Sequence, residues 1–332
     1  LCGFDSAAYA DMGNRMTALT LTKFLTQIAA DQPAVAASVR ALAGVAVELS
    51  ATIARPDSTA QLGAVRGSAN ADGDDQKKLD VLADEMIATA LAAVDHVAAY
   101  LSEERDAAIQ LHDGGEVIVA SDPLDGSSNI DTNVSIGTIF SILPASGGSL
   151  QPGRNQLASG IFVYGPQTTL LVTCGDGVFA FQLGTDGQFH DMGWQVRMPA
   201  ETSEFAINAS NSRHWAAPVS RYIADCLAGS AGPRQRNFNM RWVGSLVADG
   251  WRIFRRGGIF LYPADARDGY DNGRLRLVYE ASPMAFLVTQ AGGRASDGQQ
   301  DILDIVPDAL HQRVPLVFGS ANEVDEFVKY GS

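Results

Sequence analysis

The chain of 332 residues has few cysteines and lacks a long uncharged apolar run. Its three cysteines stand far apart, so the sequence shows neither a disulfide framework nor a CxxC metal site, as is typical of a reducing compartment. The most apolar segment, residues 35–54, contains Arg40 and Glu48 and is therefore expected to be a packed helix and not a membrane span. We expect a cytoplasmic protein with no membrane partner.

The chain also has few basic residues relative to acidic ones. Lys and Arg total 24 against 38 Asp and Glu, which gives a net charge of −14. Such a chain repels nucleic acid and anionic membranes at long range, so no nucleic-acid partner is expected. An anionic substrate would need metal ions or a local basic pocket. With 46% apolar residues, the chain can bury a core the size of roughly two domains.

Several familiar catalytic motifs are missing. There is no GxxxxGKS/T phosphate loop, no HExxH zinc motif and no GxSxG nucleophile elbow, and the five histidines lack ligand spacing. A loose dinucleotide fingerprint at 175–180 lies between two short β-rich runs and is better explained as a hairpin turn. The sequence therefore points away from P-loop enzymes, zinc peptidases and α/β-hydrolases.

Hydrophobic periodicity predicts interleaved helices and strands, an α/β (α+β layered) protein. Helices are predicted at 20–28, 33–53, 75–94, 219–228, 243–255 and 283–291. Strands are predicted at 116–120, 134–143, 258–262, 275–279 and 315–319, with hairpins across 160–183. The polar stretch 56–74 is expected to be a long mobile loop. We expect an N-terminal extension at 1–19, disordered or foreign to the natural chain, and domains at 20–200 and 201–332.

The strongest local signal is the stretch SDPLDGSSN at 121–129. It directly follows an apolar strand, so Asp122 and Asp125 are expected at the carboxyl end of that strand, where α/β folds bind ligands. We expect Pro123 to shape a turn between them and Gly126 to allow close backbone approach. Carboxylates of this kind suit Mg²⁺ or Mn²⁺. A plain acidic turn with a side-chain cap is the alternative for this motif alone.

Other carboxylates stand at the ends of predicted elements. Glu103 and Glu104 close the segment after the helix that contains Leu79, and Glu280 ends the apolar run 275–279. Asp74 ends the polar loop, and Asp80 lies near the apolar edge of the helix that follows. Each alone reads as a solvated carboxylate or a helix cap. Their joint placement matters because it matches one family.

The sequence resembles the class I fructose-1,6-bisphosphatases, part of a wider group of metal-dependent, lithium-sensitive phosphatases. The resemblance spans about 20–321 in ordered blocks: NADGD with QKKLD at 70–80, SEE at 102–104, DPLDGSSNID with VSIGTIF at 122–140, GGIFLYP at 257–263, and LRLVYE, PMAF and AGG at 275–293. The DPLDGS motif alone is shared with inositol monophosphatases. The blocks at 257–263 and 275–280 are specific to the fructose bisphosphatase branch.

The resemblance implies a layered sugar-phosphatase fold whose N-terminal domain carries two to three Mg²⁺ ions, for which Mn²⁺ or Zn²⁺ could substitute. The implied metal ligands are Glu103, Asp122, the carbonyl of Leu124, Asp125 and Glu280, joined by Glu104. The implied catalytic residues are Asp80 and Glu104, which would deprotonate a water, and Asp74, which would complete the site when its loop closes. Metals would activate that water and stabilise the leaving alkoxide.

The resemblance also implies two phosphate subsites. The 1-phosphate would be held by Gly126, Ser127 and Ser128, whose backbone N–H groups suit an anion. The 6-phosphate would be held in the C-terminal domain by Asn211, Arg241, Tyr262 and Arg274. Because Arg241 is normally contributed to the neighbouring subunit, a homotetramer is expected.

The implied reaction is Mg²⁺-dependent hydrolysis of the 1-phosphate of fructose 1,6-bisphosphate, in gluconeogenesis or the Calvin cycle. Three alternatives stay open: an enzyme that also cleaves sedoheptulose 1,7-bisphosphate, a phosphatase acting on inositol or nucleotide phosphates, and a non-catalytic sugar-phosphate sensor. The cationic and hydroxyl residues of the second subsite argue against the inositol and nucleotide phosphatases. Retention of every candidate carboxylate argues against the sensor.

The chain departs from the family at the sugar end and at the regulatory end. Arg274 stands for the usual Lys, Trp242 for a Tyr, and Ser282 for an Asn. The turn that binds AMP in many relatives begins here with Asp31, and Glu116 stands where a Lys is usual. Since carboxylates disfavour a phosphate, we expect weak or absent AMP inhibition.

Overall fold

The computed structural model describes residues 19–54, 65–69 and 75–331. The expectations for residues 1–18, for most of the loop 56–74 and for Asp74 lie outside the described residues. The seven α-helices of the described part are α1 (Leu21–Ile28), α2 (Pro33–Ile53), α3 (Lys78–Ala92), α4 (Ala217–Leu227), α5 (Leu246–Arg256), α6 (Ser282–Gln290) and α7 (Ala321–Lys329). The helices predicted from periodicity are confirmed, with shifts of a few residues at their ends.

The strands form two main sheets. The first has eight strands in the order β10-β9-β8-β7-β6-β5-β3-β4. Its members are β3 (Val97–Ser102), β4 (Ile109–Gln110), β5 (Val117–Asp125), β6 (Ile136–Pro144), β7 (Ala158–Tyr164), β8 (Thr168–Thr173), β9 (Phe179–Leu183) and β10 (Phe189–Asp191). All neighbours in it are antiparallel except β3 and β5.

The second sheet has five strands in the order β12-β11-β13-β17-β15. Its members are β11 (Glu204–Ile207), β12 (Asn239–Met240), β13 (Ile259–Tyr262), β15 (Arg294–Ser296) and β17 (Leu316–Gly319). Two small pairs complete the described strands: β1 (Val65–Ala69) with β2 (Asp75–Lys77), and β14 (Leu275–Arg276) with β16 (Arg313–Val314).

Five layers result, because adjacent side chains along a strand point to opposite faces of a sheet. Phe140 and Phe162 of the first sheet pack against α1, α2 and α3, while Ile139 and Ile161 face a second core with α5, α6 and Phe260 of the second sheet. The outer face of the second sheet packs on α4 and α7. The order is helices, sheet, helices, sheet, helices, so the predicted layered α/β class is confirmed.

Helix α2 is long and apolar enough to cross a membrane by length and composition alone. Ten of its residues are nevertheless buried, and the helix packs on the first sheet as predicted for residues 35–54. Thr20 caps α1 by accepting the N–H of Lys23, and Pro33 stands at the start of α2, where its missing N–H costs nothing.

The predicted strand at 275–279 is wrong beyond its first two residues. After β14, residues Leu277–Ala281 form a π-helical turn that runs directly into α6. The carboxylate of Glu280 accepts the N–H of Arg276 at 2.5 Å, so a side chain satisfies a backbone donor that a strand would have paired in a ladder. Isolated π-turns occur frequently at functional sites.

The proposed boundary near residue 200 lies between the last strand of the first sheet and the first strand of the second. Helices α5 and α6 follow that boundary in the chain, yet they share a core with the first sheet. The division into 20–200 and 201–332 stays a prediction.

Candidate active site

The DPLD motif lies within β5 and not after it. Asp122 pairs with Ile139 and Asp125 with Gly137, so β5 uses one residue more than β6 over this stretch, a β-bulge. Pro123 has no N–H to donate to a ladder, and the N–H of Leu124 binds the Asp122 carboxylate at 2.9 Å. The expected turn is thus an irregular strand end, and both carboxylates are buried in it.

Glu103 follows the strand parallel to β5. The N–H of Glu103 donates to the carbonyl of Ser121 at 3.1 Å, which extends the pairing of β3 with β5 by one residue. The carboxyl ends of the two parallel strands therefore meet at one edge. Glu103 and Asp122 come together there for the same reason that ligand sites form in other α/β folds.

Glu280 reaches the same place from the C-terminal half. Carboxylate oxygens of Glu103, Asp122 and Glu280 all lie within 4.8 Å of one another. Asp125 is the last residue of β5 and is not part of this group of three. Its Oδ2 accepts the Ser245 hydroxyl at 3.2 Å and the Val247 N–H at 2.9 Å. Of the predicted ligands, Glu103, Asp122 and Glu280 thus form one acidic centre, in which Asp122 and Glu280 are buried.

Burial raises the pKa of all four carboxyl groups. It raises the pKa of Glu103 to about 7 and that of Asp125 to about 6. Burial first, and then repulsion from Glu103, also raises the pKa values of Asp122 and Glu280 well above their usual range. Four neighbouring carboxylates with little positive charge around them are costly to keep ionised without a bound cation. Their hard oxygen donors suit a divalent cation. The donor set fits Mg²⁺.

Sequence analysis missed the cation of this centre, Arg276. It is 3% exposed, and its Nε lies 3.8 Å from Oε1 of Glu103, whose pKa it lowers against the effect of burial. A charged residue inside the apolar run 275–279 was the signal, since a buried arginine is nearly always paired.

Asp80 and Glu104 are the predicted bases. Asp80 is buried on the first turn of α3. Glu104 follows Glu103 with its N–H on the Ser102 hydroxyl, and its charge raises the pKa of both Glu103 and Asp122. Neither belongs to the group of three whose oxygens lie within 4.8 Å of one another.

The turn after β5 is built for close approach. Gly126 has φ +77°, and a 3-10 helix, Ser127–Thr132, starts directly after it. A Cβ on Gly126 would lie 3.3 Å from the Ser245 side chain, and the Asn129 amide donates to the Gly244 carbonyl at 2.9 Å. The turn that carries the predicted residues Gly126, Ser127 and Ser128 therefore lies near the start of α5, which it approaches through Gly126 and Asn129. A side chain at residue 126 would be strained as well as crowded.

Three of the four predicted sugar-end residues meet in one pocket. Asn211, Tyr262 and Arg274 line it together with Trp215 and Asp265. Burial raises the pKa of the Tyr262 hydroxyl, Arg274 lowers it, and Glu280 raises it. Arg276, which lies beside Glu103, also donates to the carbonyl of Arg274 at 3.2 Å, so the pocket adjoins the acidic centre.

Arg241 does not line that pocket. Its side chain is exposed, and its guanidinium contacts only the neighbouring carbonyl of Met240 at 3.2 Å among the described hydrogen bonds. The expectation that Arg241 serves another subunit stays a prediction.

Comparison with known proteins now decides the family. A family model for the fructose-1,6-bisphosphatase N-terminal domain matches residues 19–192, and the model for the C-terminal domain matches 198–332. The chain belongs to the fructose-1,6-bisphosphatase family.

Several bacterial members of this family are similar to this chain over nearly its whole length. The class 1 fructose-1,6-bisphosphatase of Azorhizobium caulinodans is 53% identical over 329 residues, covering 95% of this chain and all of that protein. A class 1 enzyme of Xanthobacter autotrophicus is 52% identical over 308 residues, covering 90% and 93%. The holo crystal structure of Leishmania major fructose-1,6-bisphosphatase superposes with a TM-score of 0.89 at 33% identity, covering 95% of this chain and 99% of that one.

The departures from the family pattern have structural settings. Trp242 stacks on Phe260 with ring centroids 5.6 Å apart and on Tyr262 at 6.1 Å. It thus continues an aromatic stack that ends at the sugar-end pocket, a role that does not need the hydroxyl of the usual Tyr. Ser282 is buried at the start of α6, where its carbonyl accepts the amide of Gln156.

At the regulatory end, Glu116 lies just before β5, and its carboxylate contacts His96 Nδ1 at 2.7 Å. Asp31 is exposed in the short link between α1 and α2. Weak or absent AMP inhibition stays a prediction. The Glu116 carboxylate, which would oppose phosphate binding, has His96 beside it.

Proposed function

We propose that this chain hydrolyses the 1-phosphate of D-fructose 1,6-bisphosphate to give fructose 6-phosphate and phosphate. The observation that carries the proposal is the pairing of two features. An acidic centre of Glu103, Asp122 and Glu280, the last two buried, adjoins a pocket that presents Arg274 and Tyr262. Full-length similarity to class 1 fructose-1,6-bisphosphatases supports it.

The acidic centre is proposed to hold two to three Mg²⁺ ions. The proposed ligands are Glu103, Asp122, the Leu124 carbonyl, Asp125 and Glu280, with Glu104 beside them. When bound, divalent cations lower the pKa of water and stabilise the oxygen anion that leaves. This explains how a protein with a net charge of −14 binds a bisphosphate.

The chain's own groups then orient the substrate and move protons. We propose that Asp80, with Glu104, takes a proton from the attacking water. The water oxygen forms a bond to phosphorus as the bond from phosphorus to the sugar O1 breaks, without a covalent phosphoenzyme. O1 takes up a proton from solvent, and Asp80 returns the proton it accepted to solvent. Gly126, Ser127 and Ser128 are proposed to bind the 1-phosphate through backbone and hydroxyl donors. Asp74 stays a prediction for the closed site.

The other subsite binds the phosphate that is not cleaved. Asn211, Tyr262 and Arg274 are proposed to hold the 6-phosphate, since a guanidinium donates two parallel hydrogen bonds to phosphate oxygens. Placing the sugar this way directs the 1-phosphate toward the acidic centre.

We further propose a cytoplasmic homotetramer in which Arg241 reaches a neighbour's sugar-end pocket. Two buried free thiols, Cys174 and Cys226, suit a reducing compartment, and Arg241 lies beside the exposed apolar side chains of Met240 and Val243. Light scattering should give four chains per particle, and Arg241→Ala should raise KM. A monomer of full activity would contradict the assembly.

Phosphate release from fructose 1,6-bisphosphate tests the activity, with Mg²⁺ and with a chelator. We expect release that depends on the metal, and a much slower rate with inositol monophosphate. Sedoheptulose 1,7-bisphosphate is measured in parallel, because its rate decides whether the enzyme is dual. Folded, metal-loaded protein that releases nothing from any sugar bisphosphate would overturn the proposal and favour a sensor.

A further inference from the structure

The pocket that contains Arg274 has a second arginine and a tyrosine beside it. The guanidinium carbons of Arg267 and Arg274 each lie 4.4 Å from the ring centroid of Tyr270. An aromatic ring attracts a cation placed over its face, and guanidinium also stacks well on aromatic rings. Tyr270 therefore restrains both side chains.

The backbone holds Tyr270 itself in place. Its N–H donates to the Arg267 carbonyl at 3.0 Å, and its carbonyl accepts the N–H groups of Asp265 and Gly273 at 3.1 Å each. The loop 265–273 is thus closed around this residue at both ends. The main chain at Tyr270 is therefore fixed, which sets the position from which the ring extends to both arginines.

The backbone of Arg274 is also held in place by its neighbours. Gly273 has φ +80°, and a Cβ there would lie 2.4 Å from the backbone of Pro315. The Arg274 carbonyl accepts the guanidinium of Arg276, the cation of the acidic centre, at 3.2 Å. The position of Arg274 is therefore set relative to the reaction centre, although its side chain is exposed.

The two arginines carry their charge differently. Arg267 pairs with both oxygens of Asp265, a buried carboxylate that lines the pocket. That pair removes a negative charge that would repel a phosphate. Arg274 makes no ion pair with any residue in the described part of the chain, so its charge is available to a ligand.

We propose that Tyr270 is a positioning residue for phosphate recognition, holding Arg274 in place for the uncleaved phosphate while Arg267 neutralises Asp265. This rests on the proposed function, since the pocket must receive the 6-phosphate. An exposed Arg otherwise loses considerable side-chain entropy on binding an anion. Restraint by the ring removes part of that cost before the substrate arrives.

Tyr270→Ala tests the role of the ring. We expect KM for fructose 1,6-bisphosphate to rise roughly five- to twenty-fold with kcat within about two-fold of the parent, because binding of the distant phosphate weakens while the reacting end is unchanged. Tyr270→Phe should restore the parent KM, since stacking does not need the hydroxyl. Inhibition by fructose 6-phosphate should weaken in Tyr270→Ala by a factor similar to the rise in KM.

A substrate without the second phosphate separates positioning from structural damage. The kcat/KM of fructose 1-phosphate should be equal in the parent and in Tyr270→Ala, whereas a variant with a damaged fold would lose activity on both substrates. Phe238→Ala is the matched control: it also removes a ring that carries a guanidinium, here Arg234 at 5.0 Å, but outside the pocket. It should leave KM unchanged.

The charge balance has its own test. Arg267→Leu should raise KM because Asp265 is left unneutralised in the pocket, and the double variant with Asp265→Asn should recover most of the loss. An unchanged KM in Tyr270→Ala, with active parent enzyme, would overturn this inference alone. A parent enzyme that is inactive on every sugar bisphosphate would instead overturn the proposed function.

Discussion

At the scale of single residues, the acidic centre depends on groups that are expensive to keep charged. Glu280 is 7% exposed and Asp122 6% exposed, and burial followed by repulsion from Glu103 raises the pKa of both. Arg276 offsets only part of this cost. Buried charges of one sign destabilise a fold unless a counter-charge joins them. The acidic centre therefore lowers the stability of the fold and favours the binding of a cation.

Glu280→Gln isolates one of these carboxylates. The amide oxygen can still accept the Arg276 N–H, so the π-turn should persist, but the negative charge of a proposed metal ligand is lost. We expect kcat to fall by about 100-fold or more and the rise in melting temperature on adding Mg²⁺ to shrink. Kinetics and thermal melts with and without Mg²⁺ measure both effects.

Asp186→Asn is the control, because Asp186 is exposed and paired with His190 away from the centre. It should leave both quantities unchanged. Full activity in Glu280→Gln would show that Glu280 is not a metal ligand.

At the scale of elements, α3 is tied to the strand ends beneath the site. Asp84, one turn after Asp80, pairs with Arg105 at 2.5 Å and accepts the Tyr100 hydroxyl at 3.1 Å. The same hydroxyl lies 2.9 Å from the Ser121 side chain on β5. This network connects the helix that carries a candidate base to the strand that carries candidate ligands.

Arg105→Ala should loosen that connection. The Asp84 side chain is 5% exposed, so it would be left as a buried charge without its ion-pair partner. We expect the free energy of unfolding to fall by about 2–3 kcal/mol at pH 7.5, measured by urea unfolding. Adding Asp84→Asn should recover part of the loss; a double variant less stable than Arg105→Ala would contradict the explanation.

The link between α1 and α2 and the start of β5 carry the regulatory prediction. With Glu116 beside His96 and Asp31 in the link, we expect no inhibition by AMP at micromolar concentrations. The measurement is the rate at saturating Mg²⁺ across an AMP titration. Strong inhibition that disappears when Glu116 is replaced by Gln would refute the prediction.

At the scale of the whole molecule, the acidic centre couples stability to pH and metal. Glu103 has its pKa raised from 4.5 to about 7, and Asp125 from 3.8 to about 6. Between these limits the folded chain binds more protons than the unfolded chain, so the free energy of unfolding decreases as pH rises. The stabilisation from these two groups is complete below about pH 4, and it is lost as pH rises through about 6 for Asp125 and about 7 for Glu103.

The metal-free protein should therefore melt at lower temperature at pH 8 than at pH 5, by roughly 5 °C. Mg²⁺ should oppose the fall, because bound cations replace protons at the same carboxylates. The repulsion of a net charge of −14 acts in the same direction, so Glu103→Gln is the necessary comparison. An unchanged pH slope in that variant would assign the effect to the general charge.

Local pattern was sufficient for much of this protein. Apolar spacing predicted α2 and α3, since a helix must bury one stripe, and the ordered acidic motifs indicated the family that full-length comparison confirmed. The DPLD motif was placed beside a strand, although as a turn instead of a bulged strand end. Motifs succeed here because they describe chemistry contained in a few adjacent residues.

The tertiary structure alone decided how distant residues meet. Glu280 lies 177 positions after Glu103, and only the packing of a π-turn against the ends of β3 and β5 brings their oxygens within 4.8 Å. The stacking of Arg267 and Arg274 on Tyr270 likewise depends on loop closure at Gly273, and no periodic pattern in the sequence predicts it. Periodicity in the sequence indicates which face of a helix or strand is buried. Which elements contact each other depends on how the layers of helices and sheets pack, and those layers form only when the whole chain folds.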